Sequence, residues 1–141
     1  MAIQLTNALL RLPDGRFVFN RRAEDDPQAG GRIGLFGGGV KPGEESSDAL
    51  RRELTEESTL TLGDLVLRHI SHIDFPASES EGHGEGSADV YLIDIPSDNF
   101  DVREGGAVVT LGYEEAISHP DLASQLRALL PAFMKAIEDQ A

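Results

Sequence analysis

The sequence contains no cysteine. This absence excludes disulfide bonds, zinc–thiolate sites and a thiol nucleophile. It also fits a reducing compartment, and we expect the protein to be cytoplasmic. No apolar run approaches the roughly 20 residues that span a bilayer, and the opening residues lack the basic and apolar regions of a secretory signal. The sequence therefore predicts neither a membrane partner nor export.

Basic residues are also scarce. The chain has 12 Lys and Arg against 25 Asp and Glu, a formal net charge of −13. A protein that binds a nucleic-acid backbone needs a basic stripe, whereas the longest basic clusters here are Arg21-Arg22 and Arg51-Arg52. We therefore expect no nucleic-acid partner. A small anionic ligand must instead be met locally, by backbone N–H groups, one or two arginines or a metal ion.

The length of 141 residues favours a single domain over residues 1–141. Apolar and polar residues around the turn at 13–15 predict an opening hairpin, and later runs predict three more strands. Strands are expected at 2–11, 16–21, 65–75, 88–95 and 108–111, with a short apolar piece at 33–36, and helices at 48–58 and 120–138. Ser46 or Ser47 should cap the first helix, and Pro131 should kink or divide the second. These elements predict a mixed α/β sandwich.

Three glutamates in the first helix have helical spacing. Glu53, Glu56 and Glu57 stand at i, i+3 and i+4, so a helix places their carboxylates on one face. On most helices such a run is a solvated surface, because exposed like charges cost only about 0.2–0.5 kcal/mol per pair. The residues around this run favour a metal site instead. Oxygen ligands suit hard divalent ions, so Mg²⁺, or alternatively Mn²⁺, is the expected cofactor.

The helix follows the run Gly37-Gly38-Gly39, which we interpret as a loop. A backbone without side chains can approach a phosphate closely or offer a carbonyl oxygen to a metal. Arg52 lies beside the acidic face and should pair with Glu44 or Glu45, which would brace the helix against the loop. The loop, the arginine and the acidic face together favour a binding site over a solvated surface.

The 23 residues from Gly38 onward resemble the signature of the Nudix hydrolases, of the MutT-like kind. That signature is Gly, five residues, Glu, seven residues, Arg-Glu, an aliphatic residue, any residue, Glu-Glu, any residue, Gly and an aliphatic residue. The matching positions are Gly38, Glu44, Arg52-Glu53-Leu54, Glu56-Glu57 and Leu60. Thr59 stands where the family has glycine. A threonine forced into the left-handed conformation there should cost about 1 kcal/mol or more.

The resemblance implies an α/β/α sandwich with a mixed central sheet, the signature loop and helix, and a C-terminal helix. It also implies hydrolysis of a nucleoside diphosphate linked to another group. By matching positions, the metal ligands would be Glu53, Glu56, Glu57 and the carbonyl of Gly38, with Gly37 and Gly39 as structural residues of the loop. Glu44 and Arg52 would be the structural and orienting pair.

The proton acceptor for the attacking water is less well defined. Arg103-Glu104-Gly105-Gly106 resembles a downstream loop in which some family members place a glutamate, so Glu104 is the preferred base or additional metal ligand. The alternatives are Glu53, Glu114 and Glu115. The last two are better explained as the start of a short helix, because acids suit a helix N-terminus. Catalytic roles are therefore expected for Glu53, Glu57, Arg52 and Glu104.

Substrate contacts outside the signature are less specific. Arg21 and Arg22 could reach a phosphate from the end of a strand, and a solvent-exposed role is the alternative. Phe36 and Tyr91 could stack on a nucleobase, although packing is the simpler interpretation.

The histidines give a weaker signal. His69 and His72 lie three apart in a predicted strand and should fall on opposite faces, which disfavours a shared metal. His83 lies in the glycine-rich segment 76–87, which we expect to be a hairpin loop that carries selectivity for the leaving group.

The leading hypothesis is a Mg²⁺-dependent hydrolase of a small nucleoside diphosphate derivative, with nucleoside triphosphates ahead of ADP-ribose and nucleotide sugars. The alternative is a non-catalytic nucleotide-binding or interaction module on the same fold, and a third reading is an acidic structural domain. The three carboxylates argue against a pure binder, which has no need of a mutually repulsive cluster. The oligomeric state is left open, although homodimers are common enough to be expected.

Overall fold

A computed structural model describes residues 3–27, 30–77 and 84–140. The strands in these ranges are β1 (Ile3–Arg11), β2 (Phe17–Arg21), β3 (Ile33–Gly34), β4 (Phe36–Gly39), β5 (Arg68–Phe75), β6 (Gly86–Asp94) and β7 (Ala107–Leu111). The helices there are α1 (Ser46–Glu57), α2 (Tyr113–Ser118) and α3 (Ser124–Asp139). No helix within these ranges is long and apolar enough to cross a membrane.

β1 lies at the centre of a mixed sheet. It runs parallel to β6 and antiparallel to both β2 and β4. β2 also pairs with β3 and β7, and β6 pairs with β5 at the edge. Parallel and antiparallel ladders therefore meet at β1, as the predicted mixed sheet requires.

Successive side chains of the central strands supply two separate cores, because strand residues alternate between faces. On one face, Leu9 packs in a buried cluster that includes Phe133 of α3. On the other face, Leu10 packs in a cluster that includes Leu50 and Leu54 of α1. Helices thus cover both faces of the sheet, and the expected α/β/α sandwich is confirmed.

The glycine run is a strand, which corrects its interpretation as a loop. Gly37, Gly38 and Gly39 belong to β4 and pair antiparallel with residues 5–7 of β1. Glycine is rare in strands, but a Cβ at Gly37 would lie only 2.1 Å from the carbonyl oxygen of Thr6. Pairing with a distant strand therefore overrides the local preference of glycine for loops.

The helix boundaries differ from those expected. α1 begins at Ser46, and neither serine caps it, since the N-cap residue is Glu45 without a side-chain hydrogen bond. The Ser46 hydroxyl instead hydrogen-bonds to the Tyr91 hydroxyl on β6. The C-terminal helix starts only at Ser124, after the separate α2, and continues undivided through Pro131. The strand expected from 65 starts at 68.

Thr59 does not adopt the left-handed conformation, so the expected strain is wrong. Glu104 is the only non-glycine residue with positive φ in the described ranges. α1 instead ends in an extended Ser58, with φ −145° and ψ 170°. Thr59 then donates its N–H to the Asp101 carbonyl at 2.9 Å, and its hydroxyl oxygen accepts the Asp101 N–H at 2.8 Å. This pairing with a downstream segment replaces the usual glycine exit.

Candidate active site

The acidic face of α1 forms one wall of a cavity of about 610 Å³. Glu53, Glu56 and Glu57 all line it, as the helical spacing predicts. β4 adjoins this wall, and the end of β2 and the segment 102–106 before β7 complete the cavity. The sandwich therefore brings the signature helix together with two segments that are distant in sequence.

β4 and α1 contact each other directly at this wall. A Cβ at Gly38 would lie 2.5 Å from the carboxyl carbon of Glu53, so only glycine leaves room for this carboxylate. The Gly37 N–H donates to Glu57 Oε1 at 3.0 Å. The glycine strand thus holds two of the three carboxylates close to its own backbone.

Arg52 connects the helix to the segments before it. Its guanidinium donates to both carboxylate oxygens of Glu44 at 3.0 and 3.1 Å, and to the Gly39 carbonyl at 2.9 Å. The predicted pairing with Glu44 is confirmed, and Glu45 takes no part in it. The hydrogen bonds from Arg52 lower the pKa of Glu44 to about 2, with help from the Lys41 N–H. Glu44 therefore stays ionised and keeps the brace closed.

Arg52 also touches the acidic face. It donates to Glu53 Oε1 at 2.9 Å and lies 3.4 Å from Glu56 Oε2. One cation thus offsets part of the repulsion between these two carboxylates.

Glu57 has the most perturbed environment of the three glutamates. Burial raises its pKa to about 7, and repulsion from Glu53 and Glu56 adds to the rise, while the Gly37 N–H opposes it. A cation bound nearby would lower this pKa, because it favours the ionised form of the carboxylate.

The donor set fits a hard divalent ion. No three acidic or histidine side chains in the described ranges already surround a common point. Glu53 and Glu56 face Arg52, and Glu57 accepts the Gly37 N–H. Even so, the acidic wall offers only oxygen ligands, it crowds three carboxylates on one helix face, and Gly38 leaves room for the Glu53 carboxylate against its backbone. Such ligands suit Mg²⁺ or Mn²⁺ rather than zinc or copper.

Glu104 lines the same cavity from the segment 102–106. Its φ of 60° is a left-handed conformation that costs a residue with a side chain about 1–2 kcal/mol. The neighbouring Arg103 ties this segment to the end of α1, because its N–H donates to the Glu57 carbonyl at 2.7 Å. Strain retained at a cavity wall is a common sign of function.

The two alternative bases on α2 are placed elsewhere. Neither Glu114 nor Glu115 lines the cavity, and both lie in the first turn of α2, as predicted. Glu115 accepts the Gly112 N–H at 3.1 Å and so caps the helix.

Strand alternation separates the two arginines at the end of β2. Arg22 lines the cavity and lies 3.8 Å from Asp26. Arg21 points to the other face of the sheet, where it donates to Asp121 and to the Gly31 carbonyl at 3.0 and 2.9 Å. The geometry therefore supports a phosphate contact for Arg22 and a structural role for Arg21.

The aromatic candidates are packing residues. Phe36 is fully buried against Phe100, and Tyr91 is buried beside His69. Neither lines the cavity. The predicted tip of the 76–87 loop, including His83, lies outside the described residues.

Asn20 is among the cavity residues that the sequence analysis missed. Asn20 precedes Arg21 on β2, is only 5% exposed and lines the cavity. Its signal was available, because Asn20 shares a strand face with the core residue Val18, where a polar side chain is unusual.

Comparison with known proteins identifies a family and several relatives. The family model of the NUDIX domain matches residues 5–133. The chain is 38% identical over 107 residues to the nucleoside triphosphatase NudI of Escherichia fergusonii, a match that covers 72% of this chain and 69% of NudI.

Two solved structures share the fold. The MutT protein from Methanosarcina mazei superposes with a TM-score of 0.73 at 22% identity, covering 99% of this chain and 95% of that one. The Escherichia coli dihydroneopterin triphosphate pyrophosphohydrolase superposes with a TM-score of 0.74 at 18% identity, covering 96% and 95%.

The chain folds as an α/β/α sandwich, and its carboxylate-lined cavity lies between a glycine strand and an acidic helix. This fold and this site together define the class of the protein. With the family model matched over most of its length, the chain belongs to the Nudix hydrolase family and is an enzyme of the Nudix pyrophosphohydrolase type.

Proposed function

We propose that the protein hydrolyses the diphosphate linkage of a nucleoside diphosphate derivative, with Mg²⁺ as its cofactor. The observation that carries this proposal is that Glu53, Glu56 and Glu57 share one cavity wall with Gly38. Nucleoside triphosphates are the preferred substrates, ahead of ADP-ribose and nucleotide sugars. The similarity to a nucleoside triphosphatase supports this order.

The three glutamates and the Gly38 carbonyl would hold the divalent ion. When bound, the ion neutralises phosphate charge and lowers the pKa of an attacking water. Arg52 orients Glu53 through its hydrogen bond and keeps α1 in register with β4 through Glu44 and the Gly39 carbonyl. Gly37 supports this arrangement through its N–H to Glu57, and Gly39 supports it through its carbonyl, which accepts from Arg52.

The remaining roles belong to residues on the opposite walls. Arg22 and Arg103 are the cations of the described cavity lining outside the signature, so they would bind phosphate oxygens. Glu104 would accept the proton of the attacking water. Its fixed left-handed backbone supports this role, because it holds the side chain at the cavity despite the conformational cost.

The experiment is a hydrolysis assay with and without the metal. The protein is incubated with nucleoside triphosphates, ADP-ribose, nucleotide sugars and dinucleoside polyphosphates, in Mg²⁺, Mn²⁺ or EDTA, and released phosphate and pyrophosphate are measured. We expect turnover of at least one class that EDTA abolishes. Glu57→Gln should lower kcat/KM by about 10²-fold or more, the scale of losing one strong electrostatic contribution to the transition state.

Glu114→Gln is the matched control, because Glu114 lies in α2 outside the cavity and should keep wild-type rates. Glu104→Gln should lose more activity than this control. Full activity of Glu57→Gln would show that the ligand assignment is wrong, and nucleotide binding without any turnover would favour the non-catalytic module.

The cellular setting follows from the same proposal. The partner would be a small nucleotide rather than a nucleic acid, since the net charge of −13 repels a polyanion unless metal ions reverse the sign locally. We place the protein in the cytoplasm, and the cysteine-free composition supports that location.

A further inference from the structure

The Asn20 side chain is unusual in its hydrogen bonding. Its Oδ1 atom is fully buried and has no hydrogen-bond partner, the only such side-chain atom in the described ranges. Leaving a buried acceptor unpaired destabilises a folded protein. Buried polar groups are otherwise almost always satisfied in folded proteins, so an exception calls for an explanation.

The surroundings of Asn20 show why the protein itself does not satisfy it. Asn20 lies opposite Gly34 of β3 and Val108 of β7 in the sheet, neither of which has a polar side chain. Gly106 closes over the amide, and a Cβ there would lie 3.0 Å from Asn20 Oδ1. A Cβ at Gly106 would also lie 2.6 Å from Val102 Cγ1, so only glycine fits beside this unpaired acceptor.

The position of Asn20 within the cavity is also specific. Along one face of β2, Val18 belongs to the apolar core, Asn20 comes next and Arg22 follows at the strand end. The terminal torsion of an asparagine is broad, so rotation of the amide can bring its oxygen to the cavity that Asn20 lines. A neutral amide thus lies between the core and the cation expected to bind phosphate.

The chemistry of the cavity limits what can pair with this oxygen. Phosphate oxygens of an ionised nucleotide accept hydrogen bonds and cannot donate to Oδ1. The carboxylates that line the same cavity, including Asp25 and Glu104, are likewise acceptors when ionised. The parts of a nucleotide that can donate to this oxygen are its sugar hydroxyls and its nucleobase N–H groups.

We infer that Asn20 is a specificity-determining residue that accepts a hydrogen bond from the nucleoside part of the substrate. The inference rests on the proposed function, because it takes a nucleotide as the occupant of the cavity. It assigns the nucleoside to the part of the cavity beside Asn20, with the diphosphate extending past Arg22 towards α1. A site with a buried acceptor discriminates strongly against ligands that lack the matching donor.

The test compares wild type with Asn20→Ala and Asn20→Val, the second of which suits a strand if the first folds poorly. Steady-state hydrolysis is measured with ATP, CTP and their 2′-deoxy and 2′,3′-dideoxy forms, and inorganic tripolyphosphate is titrated as an inhibitor. Asn99→Ala serves as the control, because Asn99 is exposed and lies outside the cavity.

We expect both Asn20 variants to raise KM for the preferred nucleotide about 10-fold, the effect of one lost hydrogen bond. The kcat value and the inhibition by tripolyphosphate should stay near wild type, and Asn99→Ala should change nothing. If the penalty disappears with the dideoxy form, a sugar hydroxyl is the donor. If the penalty persists, the donor is a nucleobase N–H.

Other outcomes separate this inference from the proposed function. Equal KM values in an active wild type and both Asn20 variants would overturn the inference alone, as would an equal loss of tripolyphosphate inhibition. A wild type that binds these nucleotides without turnover would overturn the proposed function, and equilibrium affinities of the same nucleotides would then decide the inference. Absence of nucleotide binding would overturn both.

Discussion

The three glycines of β4 have different reasons to be glycine. Gly37 has a φ of 144° and abuts the Thr6 backbone, so a side chain there meets atoms that cannot move. Gly38 abuts the Glu53 carboxylate, the far end of a flexible side chain. A Cβ at Gly39 would meet no atom within 4 Å, so space does not require glycine there.

These contacts predict an ordered series of alanine variants. Gly37→Ala should lower the free energy of unfolding by about 2 kcal/mol or more, so this variant should unfold at a markedly lower temperature. Gly38→Ala should keep most of its stability but lose most of its activity, because Glu53 is displaced. Gly39→Ala is the control and should resemble wild type in both. Thermal unfolding and hydrolysis assays on the three variants test this order, and an active Gly38→Ala enzyme would contradict it.

At the scale of elements, a bulge in β5 changes the relation of its two histidines. The register with β6 shifts between His69 and Ser71, so one extra residue, Ile70, lies between them. His69 and His72 therefore fall on the same face, and each places a ring nitrogen 2.8 Å from Asp89 Oδ1. The expectation of opposite faces was wrong, because it assumed an uninterrupted strand.

The bulge also predicts a pH-dependent contribution to stability. The hydrogen bond with Asp89 raises the pKa of His72. Burial opposes ionisation of Asp89, but its bonds to the two histidines lower its pKa overall. The pair therefore stabilises the fold above about pH 4, where Asp89 is ionised. This contribution is lost as pH rises above about 6.5 through the raised pKa of His72.

Asp89→Asn should accordingly lower the melting temperature more at pH 5.5 than at pH 8.5. Asp64→Asn is the control, because Asp64 is exposed on the segment before β5. Thermal unfolding of both variants and wild type across this pH range measures the effect. A loss that grows with pH would rule out the His72–Asp89 pair as its source.

For the whole molecule, the dominant electrostatic property is the net charge of −13. Like charges repel throughout a compact chain, and added salt screens that repulsion. The ion pairs of Arg16 with Asp14 and of Arg68 with Asp94 are exposed, and exposed ion pairs contribute little to stability. Salt screens both the repulsion between like charges and the attraction within ion pairs. We expect the repulsion to be the larger of the two.

Raising NaCl from about 0.02 to about 0.3 M should increase the melting temperature by a few degrees, since the screening length falls well below the molecular diameter. A control at constant ionic strength with and without Mg²⁺ separates general screening from binding at the carboxylate wall. A melting temperature that falls steadily with NaCl would show that the ion pairs outweigh the net charge.

Much of the site could be predicted from the helical periodicity of the sequence. The positions of Glu53, Glu56 and Glu57 on one face follow from helical spacing, and the pairing of Arg52 with Glu44 follows from the helix and the short segment before it. Such features depend on residues close in the chain, so the amino-acid order is enough to define them.

Contacts between distant segments decided the rest. The glycine run became a strand because β1 pairs with it, and Thr59 avoids strain because residue 101 meets it. The unpaired oxygen of Asn20 depends on neighbours from β3, β7 and Gly106. Local order cannot define these features, because each needs two remote parts of the chain to be held together by the packed sandwich.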